Sequence, residues 1–487
     1  MDGLVVTLVI IPFAGALVCG VVPRGAKVAA ALVSAAAAAL AIMAAVGTYP
    51  GRWEMQIGSL PWLRGYLDEA AVFGLVVDPL SILMMLVAAV MGFLVVLYSG
   101  EYLTERNAEH AYREGDNRYY FWLLFFLGSM VGLALSSNLL QMFIFWEMTT
   151  LCSWALISHA QSPSALRAGY KALIMTHLGG LCFMIALVIV FVSSRSFAFS
   201  AVATLAPGLA TVVFVLLLAA AWAKAAQVPF YTWLPDAMEA PTPISAYLHA
   251  AAMVKAGVYL MLRVVLENGA VSTGAGVVMV VMAAVTMAVA VFFYFFQDDL
   301  KRLLAFSTIT HLGYILLAVA IGVLGSTVGF RGGALHLVCH APAKGLLFLA
   351  VGAMAYATGT KNISQLGGVG RRMPLVALAF FVGVLAVTGI PPFSCFWSKL
   401  YILIGALELG GTVGPLLAAL VLVESMIAFA WFLHVGHRVL LGKPVNPGSE
   451  AKDPGWAMSV PLVVLILLTV VVPVLALPVV QLIWVPG

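Results

Sequence analysis

The chain has 487 residues, 63% of them hydrophobic and only 9% charged, with a mean hydropathy of +1.09. So little charge excludes an ordinary soluble domain, and a formal net charge of +4 spread without any Lys/Arg run argues against nucleic acid as a partner. What remains is an all-α polytopic membrane protein.

Residues 1–22 lack a basic leading segment and a clear cleavage site, so they are expected to form a retained first helix and not a signal peptide. Apolar runs close to the ~20 residues that span a bilayer then follow in order. They lie at 4–22, 27–47, 78–98, 119–135, 139–158, 168–192, 210–228, 244–265, 274–296, 303–323, 333–357, 374–409, 413–440 and 459–484. That makes about fourteen transmembrane helices. The run 374–409 is too long for one span and carries Gly389, Pro391 and Pro392 at its centre, so it is expected as one helix broken in two. The run 210–228, ending at Pro229, is the other broken helix. Backbone freed at membrane depth is tolerated only where protein or water satisfies it, which is why transporter sites gather at such breaks.

The connections set an orientation. Four lysines lie within the runs; the other 20 of the 24 Lys/Arg divide 15 to 5 between alternate connections. The rich side carries Arg24 and Lys27, Arg106, Arg113 and Arg118, Arg167 and Lys171, Lys301 and Arg302, Lys361, Arg371 and Arg372, and Arg438, Lys443 and Lys452. By the positive-inside rule that side is cytoplasmic, which puts both termini outside. The two longest linkers, 48–77 and 99–118, have mixed charge and aromatics suited to surface caps, and no separate soluble domain is expected. The domain reading is an N-terminal part at 1–118, a first bundle at 119–265, a second at 266–440 and a C-terminal helix at 441–487.

Ionisable residues inside the apolar runs are costly, at roughly 2.5–3.5 kcal/mol for a charge at the centre of a span, and so mark a bundle interior or an ion path. Glu147, in FWEMTTLCSW, reads either as a carboxylate paired with a lysine on another helix or as a packing hydrogen bond. Lys224, five residues before Pro229, is the lysine available to it; the bland alternative is a side chain snorkelling to the interface. A lysine whose carboxylate partner moves or is hydrated can switch between holding and releasing a proton. His249 and Lys255 are expected on one helix, the next, where they stand about 120° apart and so face two neighbours. His249 and His311 each suit a proton relay or a satisfied core hydrogen bond. His336, His340 and Lys344 recur at i, i+4 and i+8 as one stripe. Two histidines so spaced also fit a metal, but no acidic residue or CxxC pair nearby completes a site, so no metal is assigned. Lys399 follows the second break as Lys224 precedes the first. Glu424 reads as the partner of a nearby cation or as a group at an exit. The five cysteines, Cys19, Cys152, Cys182, Cys339 and Cys395, are dispersed and read as small packing residues. Sodium needs several oxygen ligands, whereas this buried set is rich in amines and imidazoles, which suits protons.

With these motifs in hand the chain resembles the antiporter-like subunits shared by Mrp-type sodium/proton antiporters, membrane-bound hydrogenases and respiratory complex I. The segments FWEMTTLCSWALISH, KAAQVPFYTWLPDAMEAPTPISAYLHAAAMVKAG, QDDLKRLLAFSTITHLGY, HLVCHAPAKGLLFLAVGA and GIPPFSCFWSK look like that family's hallmark segments in its order. The match runs from about Asp78 through the Lys399 region, and the likeness is greatest to the N-terminal part of the Mrp A subunit and the largest complex I antiporter-like subunit; this sequence departs from both in ending just after the fourteenth run. Paired inorganic-carbon uptake systems also use a subunit of this type. The resemblance implies two inverted five-helix bundles and a central line of charges and waters. It implies a glutamate–lysine pair at Glu147 and Lys224, a connecting relay at His249 and Lys255, a cluster at His336, His340 and Lys344, and a terminal lysine at Lys399. The expected function is a proton-translocating subunit of a multisubunit cell-membrane complex, without cofactor or bond chemistry of its own. A membrane anchor whose charges only pack helices, and a metal-dependent membrane enzyme, are the rival readings.

Overall fold

The structure is a computed structural model and describes residues 1–22, 25–58, 72–112, 116–269, 272–443 and 451–484. Arg24 and Arg113 of the loop tally, and the centre of the 48–77 linker, lie outside the described residues. In chain order the helices are α1 (Asp2–Val21), α2 (Ala26–Thr48), α3 (Pro79–Tyr102), α4 (Asp116–Ala134), α5 (Leu139–Ile157), α6 (Pro163–Ser194), α7 (Pro207–Lys224), α8 (Trp233–Asp236), α9 (Thr242–Ala250), α10 (Met253–Asn268), α11 (Thr273–Tyr294), α12 (Leu300–Val323), α13 (Thr327–Thr358), α14 (Val369–Arg372), α15 (Pro374–Thr388), α16 (Ser394–Glu408), α17 (Val413–Gly436) and α18 (Trp456–Gln481). Twelve spans among the described residues are long and apolar enough to cross a membrane, α9 and α10 counting as one. With α4 and the α15–α16 pair they make fourteen, and the protein is a multi-pass membrane protein.

Local sequence starts these helices in the usual ways. Asp78 caps α3 through the Ser81 amide at 2.8 Å, and Ser81 Oγ accepts from the Asp78 amide at 2.7 Å, a reciprocal capping box. Ser162, Ser272, Asp299 and Ser326 cap α6, α11, α12 and α13 with their side-chain oxygens. The 48–77 linker holds a feature that its sequence did not suggest: strands β1 (Trp53–Gly58) and β2 (Phe73–Val77) pair antiparallel, Trp53 opposite Val77.

Both expected breaks are present, and polar side chains satisfy the freed backbone. At the end of α7 the Trp233 indole donates to the Ala223 carbonyl at 3.0 Å and the Gln227 amide to the Ala225 carbonyl at 2.8 Å. At the end of α15, Gly389 takes a left-handed φ of 87° and the Lys399 amine donates to the Thr388 carbonyl at 3.2 Å. A third break corrects the sequence reading. The run 244–265 is not one helix: α9 stops at Ala250 and α10 restarts at Met253, so His249 and Lys255 occupy different helices and the angle computed for a continuous one does not apply.

Three spans are wholly buried through their apolar central stretch: Thr242–Asn268, Leu300–Val323 and Thr327–Thr358. The outer helices α1, α2, α11, α17 and α18 instead present much of their apolar surface outward. The buried spans carry six of the eight candidate histidines and lysines, so protein and not lipid surrounds those groups. Close packing sets their spacing. A Cβ on Gly257 of α10 would stand 2.5 Å from the Ala221 carbonyl and 3.0 Å from the Ala225 amide of the α7 end. Because backbone cannot yield as a side chain can, Gly257→Ala should destabilise the protein by about 1–3 kcal/mol, seen as a lower thermal midpoint in detergent; an unchanged midpoint would refute the close crossing.

Candidate functional site

Lys224 is the last residue of α7 and is fully buried. Its amine donates to the Trp146 carbonyl at 2.6 Å and the Thr150 hydroxyl at 2.7 Å on α5, and stands 4.6 Å from the Trp146 ring centroid. Glu147 follows Trp146, but successive helix residues point about 100° apart. Its Oε2 lies 2.8 Å from Nδ1 of His177 on α6. Gly180, one turn further on, leaves the room, since a Cβ there would stand 2.1 Å from Oε1 of Glu147. The direct Glu147–Lys224 contact expected from the sequence is therefore not formed, and His177 holds the carboxylate instead. Like the others, His177 is an ionisable residue within an apolar run, and that signal could have found it.

Lys255, in the first turn of α10, is buried and donates to the Leu337 carbonyl of α13 at 2.5 Å, so it bridges the two halves of the chain. His249 ends α9 with its ring centroid 4.6 Å from that of Phe348, and neither ring nitrogen has a protein partner among the described residues. The same holds for both nitrogens of His340. Buried polar groups of this kind are satisfied by ordered water when protein offers nothing.

The second half gathers the remaining candidates into one continuous cluster. Lys344 donates to the Ser307 hydroxyl at 2.5 Å and the Leu304 carbonyl at 3.2 Å on α12. His340 lies with its ring centroid 5.0 Å from His311 and 5.9 Å from His336. His311 Nδ1 and His336 Nε2 are 2.9 Å apart, and His336 Nδ1 is 2.8 Å from the Ser398 hydroxyl. One imidazole of the His311–His336 pair must donate and the other accept, so that bond requires at least one neutral ring. Tyr314, one turn beyond His311, donates to the Glu424 carboxylate on α17. Lys399 lies 3.8 Å from that carboxylate, 2.9 Å from the Ser425 hydroxyl and 4.8 Å from the Tyr314 ring centroid. Glu424 thus meets the nearby cation that the sequence left as one of two alternatives. Tyr314, Ser398 and Ser307 were not singled out, because nothing in a sequence distinguishes a hydroxyl that meets a relay from one that caps a helix.

Two groups counted as loop cations prove to be buried. Lys301 donates to the Met238 and Ala240 carbonyls at 2.8 and 2.7 Å, pinning the 237–240 turn to α12. Arg263 in α10 forms a two-pronged pair with Asp78 at the start of α3, with the Tyr259 hydroxyl at 2.9 Å. Burial pushes the Asp78 carboxyl up, but the Arg263 guanidinium, with help from the Ser81 amide, outweighs it and holds the carboxyl at about 2.

The sequence assigned no metal for want of a third ligand. The fold draws Cys395 of α16 toward His311 and His336, with their donor atoms all within 4.8 Å of one another. Three such donors are the minimum for a tetrahedral soft-metal centre. His311 Nδ1 and both nitrogens of His336 are, however, already engaged, with each other and with the Ser398 hydroxyl.

Residues 136–428 match the family described as "NADH:quinone oxidoreductase/Mrp antiporter, TM", and residues 62–119 match the complex I chain 5 N-terminus family. The chain belongs to the former family. Among antiporter relatives, the Na(+)/H(+) antiporter subunit A1 of Staphylococcus haemolyticus is 36% identical over 428 residues, covering 83% of this chain and 52% of that one. The Mrp complex from Dietzia sp. DQ12-45-1b contains a chain with a TM-score of 0.86 and 30% identity, covering 98% of this chain and 51% of that chain. An archaeal respiratory complex, the membrane-bound sulfane sulfur reductase, contains one with a TM-score of 0.84 and 26% identity over 98% of this chain and 96% of its own. The chain spans about half the length of the curated antiporter and quinone oxidoreductase relatives it matches. Within this antiporter family the relatives named here are subunits of larger membrane assemblies.

Proposed function

We propose that this chain is a proton-translocating subunit of a multisubunit cation/proton antiporter or a related ion-pumping complex, with no bond chemistry of its own. The observation that carries the reading is the unbroken series His340, His311, His336, Tyr314, Glu424 and Lys399, each in contact with the next and all buried across α12, α13, α16 and α17. Imidazoles and amines that can each take up and release one proton form a relay when water or direct contact joins them. His249, with both nitrogens free of protein partners, is suited to hydrated transfer toward Lys344 and His340. Lys255, bonded into α13, links that series with the first bundle, where Lys224 and Glu147 sit.

The domain reading belongs to the same proposal: bundles at 119–265 and 266–440, each with a lysine beside a broken helix, flanked by 1–118 and 441–487. So does the orientation, with the Lys/Arg-rich edge cytoplasmic and both termini outside. A partner membrane subunit fits the face around His177, which is about half exposed midway along α6 while bonded to Glu147. A polar pair there is poorly served by hydrocarbon and well served by another protein helix. The likeness to the sulfane sulfur reductase supports a second reading of the driver, in which a redox partner and not a cation gradient powers the same relay; the polypeptides that co-purify in mild detergent decide between them.

Lys399→Met tests the proposal. In assembled complexes reconstituted in vesicles, proton flux should fall roughly tenfold or more while the subunit composition of the purified complex stays the same. Unchanged flux in an intact complex would refute the relay.

A further inference from the structure

At the Lys/Arg-rich edge, between the two bundles, a cavity of about 340 Å³ is lined by Arg167 and Lys171 of α6, Asp236 and Glu239, and Asp299, Arg302 and Lys361. Lys171 and Arg302 share Asp236 at 2.7 and 3.5 Å, and Lys361 reaches Asp299 at 3.5 Å. Two opposite charges are left over. Arg167 is exposed and has no partner among the described residues. Among the described residues the exposed Glu239 accepts a hydrogen bond only from the Ser164 hydroxyl, at 2.9 Å, and Ser164 lies one turn before Arg167 on α6. Beyond that lining, one turn deeper along α6 and α12, apolar side chains follow. Met175 follows Lys171 on α6, Phe306 follows Arg302 on α12, and Tyr231 lies between, its ring centroid 6.3 Å from Phe306 and 5.9 Å from Phe293. Phe292, Phe295 and Phe296 continue this surface outward, all exposed.

A charged rim over an aromatic floor at the end of membrane-spanning helices matches one ligand class. We propose that this cleft binds an aminophospholipid. Its phosphate meets Arg167, Lys171 and Arg302, its ammonium meets Glu239, and its acyl chains run down past Met175, Tyr231 and Phe293. Opposite leftover charges a turn apart suit a headgroup carrying both signs, and a cation-rich site with three carboxylates suits a purely anionic headgroup less well. The aromatic floor separates a lipid from free phosphate, which would gain nothing from it. A lipid wedged there touches α6, the 230–239 turns and α12 together, tying both bundles at the same edge.

Native mass spectrometry of the full chain in mild detergent, with phosphatidylethanolamine, phosphatidylcholine or phosphatidylglycerol added at equal concentration, reads the outcome. Phosphatidylethanolamine should be retained preferentially, and Arg167→Gln should weaken that retention roughly tenfold. Glu239→Gln should remove the preference for phosphatidylethanolamine over phosphatidylglycerol and leave phosphatidylglycerol bound. Both residues are exposed, so an unchanged thermal midpoint without added lipid confirms intact folding. Equal retention of the ethanolamine and choline lipids, or wild-type retention in Arg167→Gln, overturns the proposal. Displacement by inorganic phosphate at the lipid's own concentration overturns it too, in favour of a soluble-anion site.

Discussion

Lys224→Met is expected to cut proton flux through the reconstituted complex by a factor on the order of ten or more and to leave the thermal midpoint of the purified chain within a degree or two of wild type. The structural side of this expectation follows from what the amine touches. Its two partners do not depend on it: the Trp146 carbonyl belongs to an α5 turn, and the Thr150 hydroxyl can bond back to that same carbonyl at 3.3 Å. Methionine keeps the unbranched stem against the Trp146 ring, and replacing a buried charge by an apolar group of similar volume is often neutral or stabilising. What is lost is the one group in the last turn of α7 able to hold a proton, at a break where the backbone is already fully engaged with Trp233 and Gln227. A structural anchor would show the reverse pattern. Assembly would fail first, and flux would follow it. Flux that survives Lys224→Met in assembled complexes would remove this lysine from the path.

Arg263→Met should instead destabilise the protein by about 3–5 kcal/mol, because it leaves the Asp78 carboxylate buried without its counter-ion. Asp78 is 4% exposed and held in place as the cap of α3 through the Ser81 amide, so its carboxylate cannot turn to solvent. Asp78→Asn should cost less, since an amide oxygen can still accept from the Ser81 amide, and the double variant should recover part of the Arg263→Met loss. The sign with pH follows from the carboxyl lying at about 2 against an ordinary 3.8. A carboxyl lowered by folding adds stability that is full above pH ~4 and disappears as pH falls through ~2, in all about 2 kcal/mol. Acid unfolding of the wild type should accordingly steepen between pH 4 and 2, and that steepening should be missing in Asp78→Asn. The same steepness in both proteins would mean that the pair is not held as described. The larger figure for Arg263→Met is consistent with this, because deprotonation equilibria do not count the cost of stranding a charge.

The long apolar runs and two of the three helix breaks are legible in the sequence for one physical reason. Backbone amides at membrane depth must be satisfied within the helix, so the chain can leave a helix only at marked places, and Pro229, Gly389, Pro391 and Pro392 mark them. The α9–α10 break carries no such mark. Between His249 and Lys255 stand three alanines, a methionine and a valine, all good or acceptable in a helix, so nothing local announces that the chain is interrupted there. The β1–β2 hairpin was equally hidden, since the alternation in WEMQIG is imperfect and its partner strand lies beyond residues 59–71.

By itself, the sequence determined which residues are ionisable within the apolar runs, because a charge or imidazole placed there stands out against its cost. On that basis Glu147, Lys224, His249, Lys255, His311, His336, His340, Lys344, Lys399 and Glu424 could all be named. Only the tertiary structure decided who meets whom. It gave Glu147 to His177, Lys255 to the α13 backbone and Glu424 to Tyr314 and Lys399, and it brought Cys395 beside two histidines. Cost per residue is a local quantity that one run of sequence carries, whereas partnership depends on the rotation and crossing of helices more than a hundred residues apart, 110 for Tyr314 and Glu424 and 185 for Arg263 and Asp78. Those crossings are set by close contacts such as Gly257 against Ala221 and Gly180 against Glu147, which no single helix contains.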